Sequence, residues 1–246
     1  MQFRLITANM ARSGTGVRDL VGQRPDMVCL QEVDVNQWRS RFRNQAREVA
    51  EGLKGLGLAY WRFLPFFTGQ SFCRLPAGRM RAGGPAWGGF GVMIASRYPV
   101  RTWRALRLGA GPVRVKRRAD GRRVLDLGQN RGLLAADVLV RGRRLRVATT
   151  HLEVNSVVAR RQLVRAWNHV AAPGPAVLCG DFNLGPTAVE SVGLPAQVIA
   201  HAPTFPAPRP RKTIDYVVGS HVEIGAVETF AVDGSDHLGI IAEMRV

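Results

Sequence analysis

Short apolar runs recur along the chain at the length of a β-strand, and most of them end on a polar residue. Residues 2–9 carry Phe3, Leu5 and Ile6 and close on Asn9. Arg24-Pro25 leads into Asp26-Met27-Val28-Cys29-Leu30-Gln31-Glu32, which reads as a buried strand ending in an acid. Further strands are expected over 58–65, 89–96, 100–108, 133–140, 145–150, 177–183, 213–218, 222–231 and 238–246. The spacing of Phe42, Ala46, Val49, Ala50 and Leu53 predicts a helix over 37–54, stopped by Gly55 and Gly57. Val157, Val158, Leu163, Ala166, Trp167 and Val170 predict another over 156–171, and 16–23 reads as a short one. Residues 66–88, rich in Gly, Pro and Arg, read as a long surface loop, and 184–212 as irregular Pro-rich chain. Residues 114–123 hold Asp120-Gly121 at their centre and read as a basic hairpin tip. A second hairpin turns at Arg141-Gly142-Arg143. The succession strand, helix, strands occurs twice, without a short-period repeat. No linker divides the chain, so 1–246 is read as a single domain of mixed α and β structure.

The bulk numbers narrow the class. With 246 residues and 46% hydrophobic content the chain can bury a substantial core. No run of about 18 apolar residues exists to span a membrane. The N-terminal stretch is too short and polar for a signal peptide, which points to a cytoplasmic location. Cys29, Cys73 and Cys179 are widely spaced, and the first and last lie inside apolar strands. They read as buried thiols, not as a disulfide framework or a metal cluster. The net charge of +17 is almost all arginine, since Lys54, Lys116 and Lys212 are the only lysines. Between Arg97 and Arg146 there are 15 basic and 3 acidic residues. Such a field attracts polyanions: nucleic acid first, an anionic membrane surface second.

Chemistry enters where the apolar runs stop. Val177-Leu178-Cys179 runs into Gly180-Asp181-Phe182-Asn183. An extended chain puts Asp181 and Asn183 on one side and Phe182 on the other. The plainer alternative is an Asx-turn closing a strand. Asn9, Glu32, His151, Asp215, Asp236 and His237 occupy comparable positions. Singly, such an Asn or Asp is a turn residue and such a His a hydrogen-bonded structural one. Asp215, between Ile214 and Tyr216-Val217-Val218, would be buried and so requires a partner. Eight such residues in one chain are hard to treat as independent accidents. No Gly-x-x-x-x-Gly-Lys-Ser/Thr run occurs, which argues against nucleoside-triphosphatase chemistry of that type.

In this order the residues resemble the endonuclease/exonuclease/phosphatase superfamily, which includes pancreatic-type deoxyribonucleases, abasic-site endonucleases, inositol polyphosphate phosphatases and neutral sphingomyelinases. The resemblance runs from Asn9 through Gln31-Glu32, Gly91 to Ser96-Arg97-Tyr98-Pro99, Thr150-His151-Leu152, Gly180-Asp181-Phe182-Asn183 and Ile214-Asp215-Tyr216 to Ser235-Asp236-His237. It implies an α/β (α+β) four-layer sandwich, two packed and mostly antiparallel sheets flanked by helices, with the site at one end. It implies that Glu32, Asp236 and Asn9 bind a divalent cation, Mg²⁺ or alternatively Mn²⁺. His237 would act as general base, oriented by Asp215, while Asp181 positions the attacking water. Asn183 and His151 would donate to the phosphate oxygens, and Arg131 would be a phosphate-binding cation. The tyrosine that several nuclease relatives place against the phosphate has no counterpart here; Tyr98 sits in the Ser-Arg-Tyr-Pro turn and reads as structural.

The shared motifs do not choose the phosphate ester. Charge favours a nuclease on DNA; the resemblance implies that it is Mg²⁺-dependent, and the chain is expected to act as a monomer. The basic tip 114–123, residues 141–146, Arg79, Arg81, Arg209, Arg211 and Lys212 would line the groove; Phe66, Phe67, Phe72, Trp87 and Phe90 would stack on bases where exposed, burial being the commoner fate of aromatics. The alternatives are a phospholipid or small-molecule phosphodiesterase, and a silent nucleic-acid-binding relative, against which the intact acid and histidine set argues.

Overall fold

The computed structural model describes residues 2–246 apart from 13–14, 72, 76–86, 118–120, 127, 172 and 197. Arg79, Arg81 and Phe72 lie outside the described residues, as does the very tip of the 114–123 hairpin. Along the chain come β1 (Gln2–Asn9), α1 (Val17–Gly22), β2 (Met27–Val35), α2 (Gln45–Lys54), β3 (Tyr60–Gln70), β4 (Cys73–Leu75), β5 (Gly89–Ser96) and β6 (Val100–Gly109). A ribbon of β7 (Arg114–Arg117) and β8 (Arg123–Asp126) precedes the hairpin β9 (Arg131–Val140) and β10 (Arg143–His151). Then follow α3 (Ser156–Val170), β11 (Ala176–Asp181), α4 (Pro186–Glu190), β12 (Val198–His201), β13 (Asp215–Ser220), β14 (Glu223–Ala231) and β15 (Leu238–Arg245).

The strands form two large sheets. One runs β14-β15-β1-β2-β5-β3-β4 and the other β12-β13-β11-β10-β9-β6. Most neighbours are antiparallel; β1–β2 and β10–β11 are the parallel pairs, one in each sheet. Strands buried on both faces read as continuous apolar runs, as β5 and β11 do. Leu5, Cys29, Val92, Ile94, Leu134, Val147, Cys179 and Val217 fill the space between the sheets. The opposite face of the first sheet packs Ile6, Val28, Leu30 and Met93 on Val49 and Leu53 of α2. That of the second packs Ala148, Leu178 and Tyr216 on Leu163 and Trp167 of α3. The result is the expected four-layer sandwich.

Several local expectations change. The helix over 37–54 is only Gln45–Lys54; before it, Trp38–Ser40 is a 3-10 turn, and Arg41 and Phe42 adopt left-handed φ of 55° and 58°. Asn44 caps the helix by accepting from the Arg47 N–H, which fixes its start and leaves Phe42 outside the apolar stripe. Val157 points away from the core side of α3 at 58% exposure. Residues 66–70, expected in a loop, continue β3 and pair with β4 and β5. The 184–212 segment contains α4 and β12. Asp215 opens its strand and does not sit within it.

Gly180 is required where β11 passes β10. Its φ is +135°, and a Cβ there would meet the Thr150 carbonyl oxygen at 2.1 Å. A bare backbone thus lets Asp181 and His151 come into register across the parallel pair.

Candidate active site

The two parallel pairs point their C-terminal ends to one side. Asn9 is the last residue of β1, His151 that of β10 and Asp181 that of β11. Glu32 reaches the same place by another route. It is not a strand end: the pairing of β2 with β5 shifts between Leu30 and Val33, and Glu32 sits in that bulge at φ 55°. A bulge re-aims one side chain while the strand carries on. Its neighbour Gln31 is fully buried and donates to Thr7 Oγ1 (3.1 Å) and to Thr149 Oγ1 (2.8 Å) of the opposite sheet. This polar tie beneath the site fixes the two sheets relative to each other.

Above it the side chains form a connected set. Asn9 Nδ2 donates to Asp181 Oδ2 at 3.1 Å, and the Asn183 N–H donates to Asp181 Oδ1 at 2.9 Å. Asn183 takes a left-handed φ of 51° and donates from Nδ2 to the Leu152 carbonyl. The Asx-turn reading of Gly180-Asp181-Phe182-Asn183 is therefore the one realised, and the left-handed Asn183 departs from the extended alternation. The turn is an Asx-type turn, and it holds the acid and the amide together while Phe182 stacks on Tyr216 in the core. His151 Nε2 lies 3.4 Å from Asp181 Oδ2, and its Nδ1 lies 3.9 Å from Glu32 Oε1. His237 Nδ1 contacts Asp215 Oδ2 at 2.9 Å, and Thr204 Oγ1 donates to the same carboxylate oxygen. A carboxylate only accepts, so Nδ1 carries the proton of this pair. Ser235 locks the last loop: its Oγ donates to the Asn9 carbonyl and accepts from the His237 N–H.

Asp236 is the exposed member of the expected set; its carbonyl accepts from the Ala207 N–H. Arg131, the first residue of β9, is only 5% exposed. Its Nε and Nη1 have no hydrogen-bond partner, and Glu153, Asp181 and Glu32 are the acids whose charges reach it. Burial, incompletely offset by those acids, lowers its pKa from the ordinary arginine range.

Electrostatics separates the two histidines. Burial, aided by the charges of Arg131, His237 and Arg12, drives His151 well below the ordinary imidazole value, so it is neutral. For His237 burial also acts downward, but the Asp215 hydrogen bond and charge, with Asp181 and Asp236, win and raise it to about 9. Asp181 is pushed up to about 7 by burial and by Asp215, against His237 and the donors from Asn183 and Asn9.

The donor set fits a hard cation. Glu32 Oε2 and Asp215 Oδ1 are buried without a hydrogen-bond partner. Arg12 Nε stands 2.9 Å from that Glu32 oxygen, an ion pair without hydrogen-bond alignment. Asp181, Asp215 and His237 offer ligand atoms that all lie within 4.8 Å of one another. Carboxylate oxygens that accept no hydrogen bond are suited to ligating a hard divalent ion.

Sequence reasoning missed Thr204, Arg12 and the role of Ser235. Thr204 lies in Pro-rich chain with no periodicity to mark it as buried, although its side chain is fully enclosed. Arg12 pairs with Glu32 from a segment read only as polar. Tyr98, expected to be structural, packs edge-on against Phe3 in the core.

The model of the Endonuclease/Exonuclease/phosphatase family matches residues 6–237. Comparison with curated proteins gives no match. Among solved structures, an endonuclease/exonuclease/phosphatase from Beutenbergia cavernae DSM 12333 superposes with a TM-score of 0.71 at 22% identity, covering 100% of this chain and 72% of that one. D. rerio TDP2, complexed with single strand DNA product, gives 0.65 at 17%, covering 100% and 99%. Sphingomyelinase C from Streptomyces griseocarneus gives 0.59 at 17%, covering 99% of each. These likenesses share the sandwich, and the family match reaches from β1 to His237: the chain belongs to the endonuclease/exonuclease/phosphatase family.

Proposed function

We propose that this chain, as one catalytic domain over 1–246, hydrolyses phosphodiester bonds in nucleic acid, DNA in the first place, with the help of a divalent cation. The observation that carries the reading is Arg131. A buried guanidinium with two unpartnered nitrogens, in the same group as an oriented His237–Asp215 pair, suits a substrate that is anionic and is attacked by water. Neutral His151 and the Asn183 amide add uncharged donors for phosphoryl oxygens. Asp181 holds the water, and His237 Nε2 exchanges its proton. Raised to about 9, His237 is imidazolium at neutral pH in the metal-free protein, so it serves as base only where a nearby positive charge lowers it.

Glu32, with Asn9 and Asp236, would hold Mg²⁺ or Mn²⁺. Such an ion supplies Lewis-acid stabilisation of charge on the phosphoryl group. The net charge of +17 supports a polyanionic substrate, and a fold neighbour, TDP2, is recorded with single strand DNA product.

Supercoiled plasmid at low salt tests this, with Mg²⁺, with Mn²⁺ and with EDTA, beside His237→Ala. Metal-dependent nicking that the variant loses is expected. Hydrolysis of bis-p-nitrophenyl phosphate without nicking would move the substrate to lipid or small-molecule esters. Silence on both would refute the hydrolase reading.

A further inference from the structure

The most exposed aromatic side chains of the described molecule are gathered on one rim. Trp87 is 82% exposed, Trp38 69% and Phe42 60%. Trp38 and Phe42 belong to Trp38-Arg39-Ser40-Arg41-Phe42-Arg43, between β2 and α2. Trp87 lies just ahead of β5. Hydrogen bonds sew these segments together around the buried Gln37. Gln37 Nε2 donates to the Gly69 carbonyl, its Oε1 accepts from the Ser71 N–H, and its own carbonyl accepts from the Phe42 N–H. The Trp38 N–H donates to Gln70 Oε1, and the Gly69 N–H donates to the carbonyl of Gly88, the residue after Trp87.

The rim is continuous with the site. Gln45, the first residue of α2, accepts from the Asp34 N–H and donates to the Arg12 carbonyl. Arg12 in turn pairs with Glu32. Arg39 binds Asp34 through two nitrogens and lies over the Phe90 ring at 5.0 Å. The chain accepts backbone strain to make this shape. Arg41 and Phe42 are successive non-glycine residues in the left-handed region, where a bulky side chain is an outlier. A phenyl ring left 60% exposed offers folding little compensating burial.

We propose that Trp38, Phe42 and Trp87 form a stacking shelf for unpaired bases of single-stranded nucleic acid running out of the active site past Glu32. This rests on the nuclease reading above and narrows its substrate to strands with unpaired bases beside the scissile bond. Charge complementarity selects the occupant. Arg41 and Arg47 are exposed among the rings, beside Arg39 and Arg43, which are paired with Asp34 and Glu48, so the surface presents cations for phosphates and flat faces for bases. Paired bases hide their faces in the duplex stack and cannot reach exposed rings. An interfacial membrane anchor needs a continuous apolar face, whereas every ring of 38–43 has an arginine beside it.

The test is a fluorescence-anisotropy titration in EDTA, where no metal-dependent cleavage is expected, with dye-labelled oligothymidylate and with a labelled abasic oligomer of equal length and charge. Wild-type protein is expected to bind the base-bearing strand at least about tenfold more tightly. Combined Trp38→Ala and Trp87→Ala substitution is expected to abolish that preference, and Trp38→Phe with Trp87→Phe to restore it. Melting curves check that each variant is folded. Equal wild-type affinity for the two oligomers overturns the shelf. So does binding to phosphatidylserine/phosphatidylcholine vesicles that the alanine variant loses while keeping its oligonucleotide preference. Metal-dependent hydrolysis of bis-p-nitrophenyl phosphate by the wild type is read separately. Its absence refutes the hydrolase reading and, with it, a substrate role for the shelf, whatever the titration gives.

Discussion

His237 and Arg131 respond differently to burial because one is hydrogen-bonded to a carboxylate, while the other has only the charges of Glu153, Asp181 and Glu32 to offset it. Asp215 contacts His237 Nδ1 at 2.9 Å, and the imidazole rises to about 9. In EDTA its ring resonances are expected to titrate near that value, and Asp215→Asn to bring them down towards about 6.5. An unchanged titration in the variant would refute the pairing. The folded value lies above the unfolded one, so the stabilisation is complete below about pH 6.5 and is lost as pH rises through about 9. The melting-temperature gap between wild type and Asp215→Asn therefore closes at alkaline pH. Arg131 leads to the opposite expectation. Replacing a buried guanidinium, two of whose nitrogens lack hydrogen bonds, by an apolar chain of similar length removes an incompletely compensated charge. Arg131→Met is expected to melt at or above the wild-type temperature while losing about 100-fold in turnover, the scale of a lost oxyanion donor. A lower melting temperature with unchanged turnover would make Arg131 structural.

At the scale of elements, the site depends on where strands stop or bend. Gly180→Ala would drive a Cβ against the Thr150 carbonyl at a φ that side chains avoid. A cost of about 2 kcal/mol or more follows, which calorimetry should read as a loss of roughly 4–8 °C; an unshifted melting temperature would show that β10 and β11 can move apart. The strands themselves were legible. Gly89–Ser96 matches its apolar run residue for residue, and Asp181, His151 and Asn9 stand at strand ends as the pattern indicates. The bulge at Glu32 was not legible, because an extra residue in a ladder depends on the partner strand and leaves no local signature. Phe42 misled the helix assignment because it falls in phase with Ala46, Val49 and Leu53, although the Asn44 cap excludes it. That one residue separates a core helix position from the exposed rim proposed to bind bases.

At the scale of the molecule, strand direction decides which charges can matter. The 141–144 turn joins β9 to β10 at the end remote from Arg131 and His151. With about 3.3 Å per residue, Arg143 lies roughly 25 Å along β10 from His151, so this turn does not line the site as its sequence suggested. The β7–β8 ribbon is placed otherwise. It leaves β6 at Gly109, which pairs with Arg131, and so grows from the site end of the second sheet. Net charge alone could not distinguish these two clusters, because the distinction requires the pairing order. Part of the remaining charge has a different explanation: β6 is an edge strand, and its exposed Arg101, Arg104 and Arg107 discourage pairing with another chain. If nucleic acid is the substrate, each phosphate contact contributes about 0.7–0.9 to the slope of log K against log salt. Arg123→Ala, on the ribbon, is therefore expected to lower the slope by about one such unit for a strand bound in EDTA. Arg143→Ala, with the same change in net charge, is expected to leave the slope unaltered. Equal effects of the two substitutions would mean that the overall field, and not a docked path across the site end, holds the polyanion.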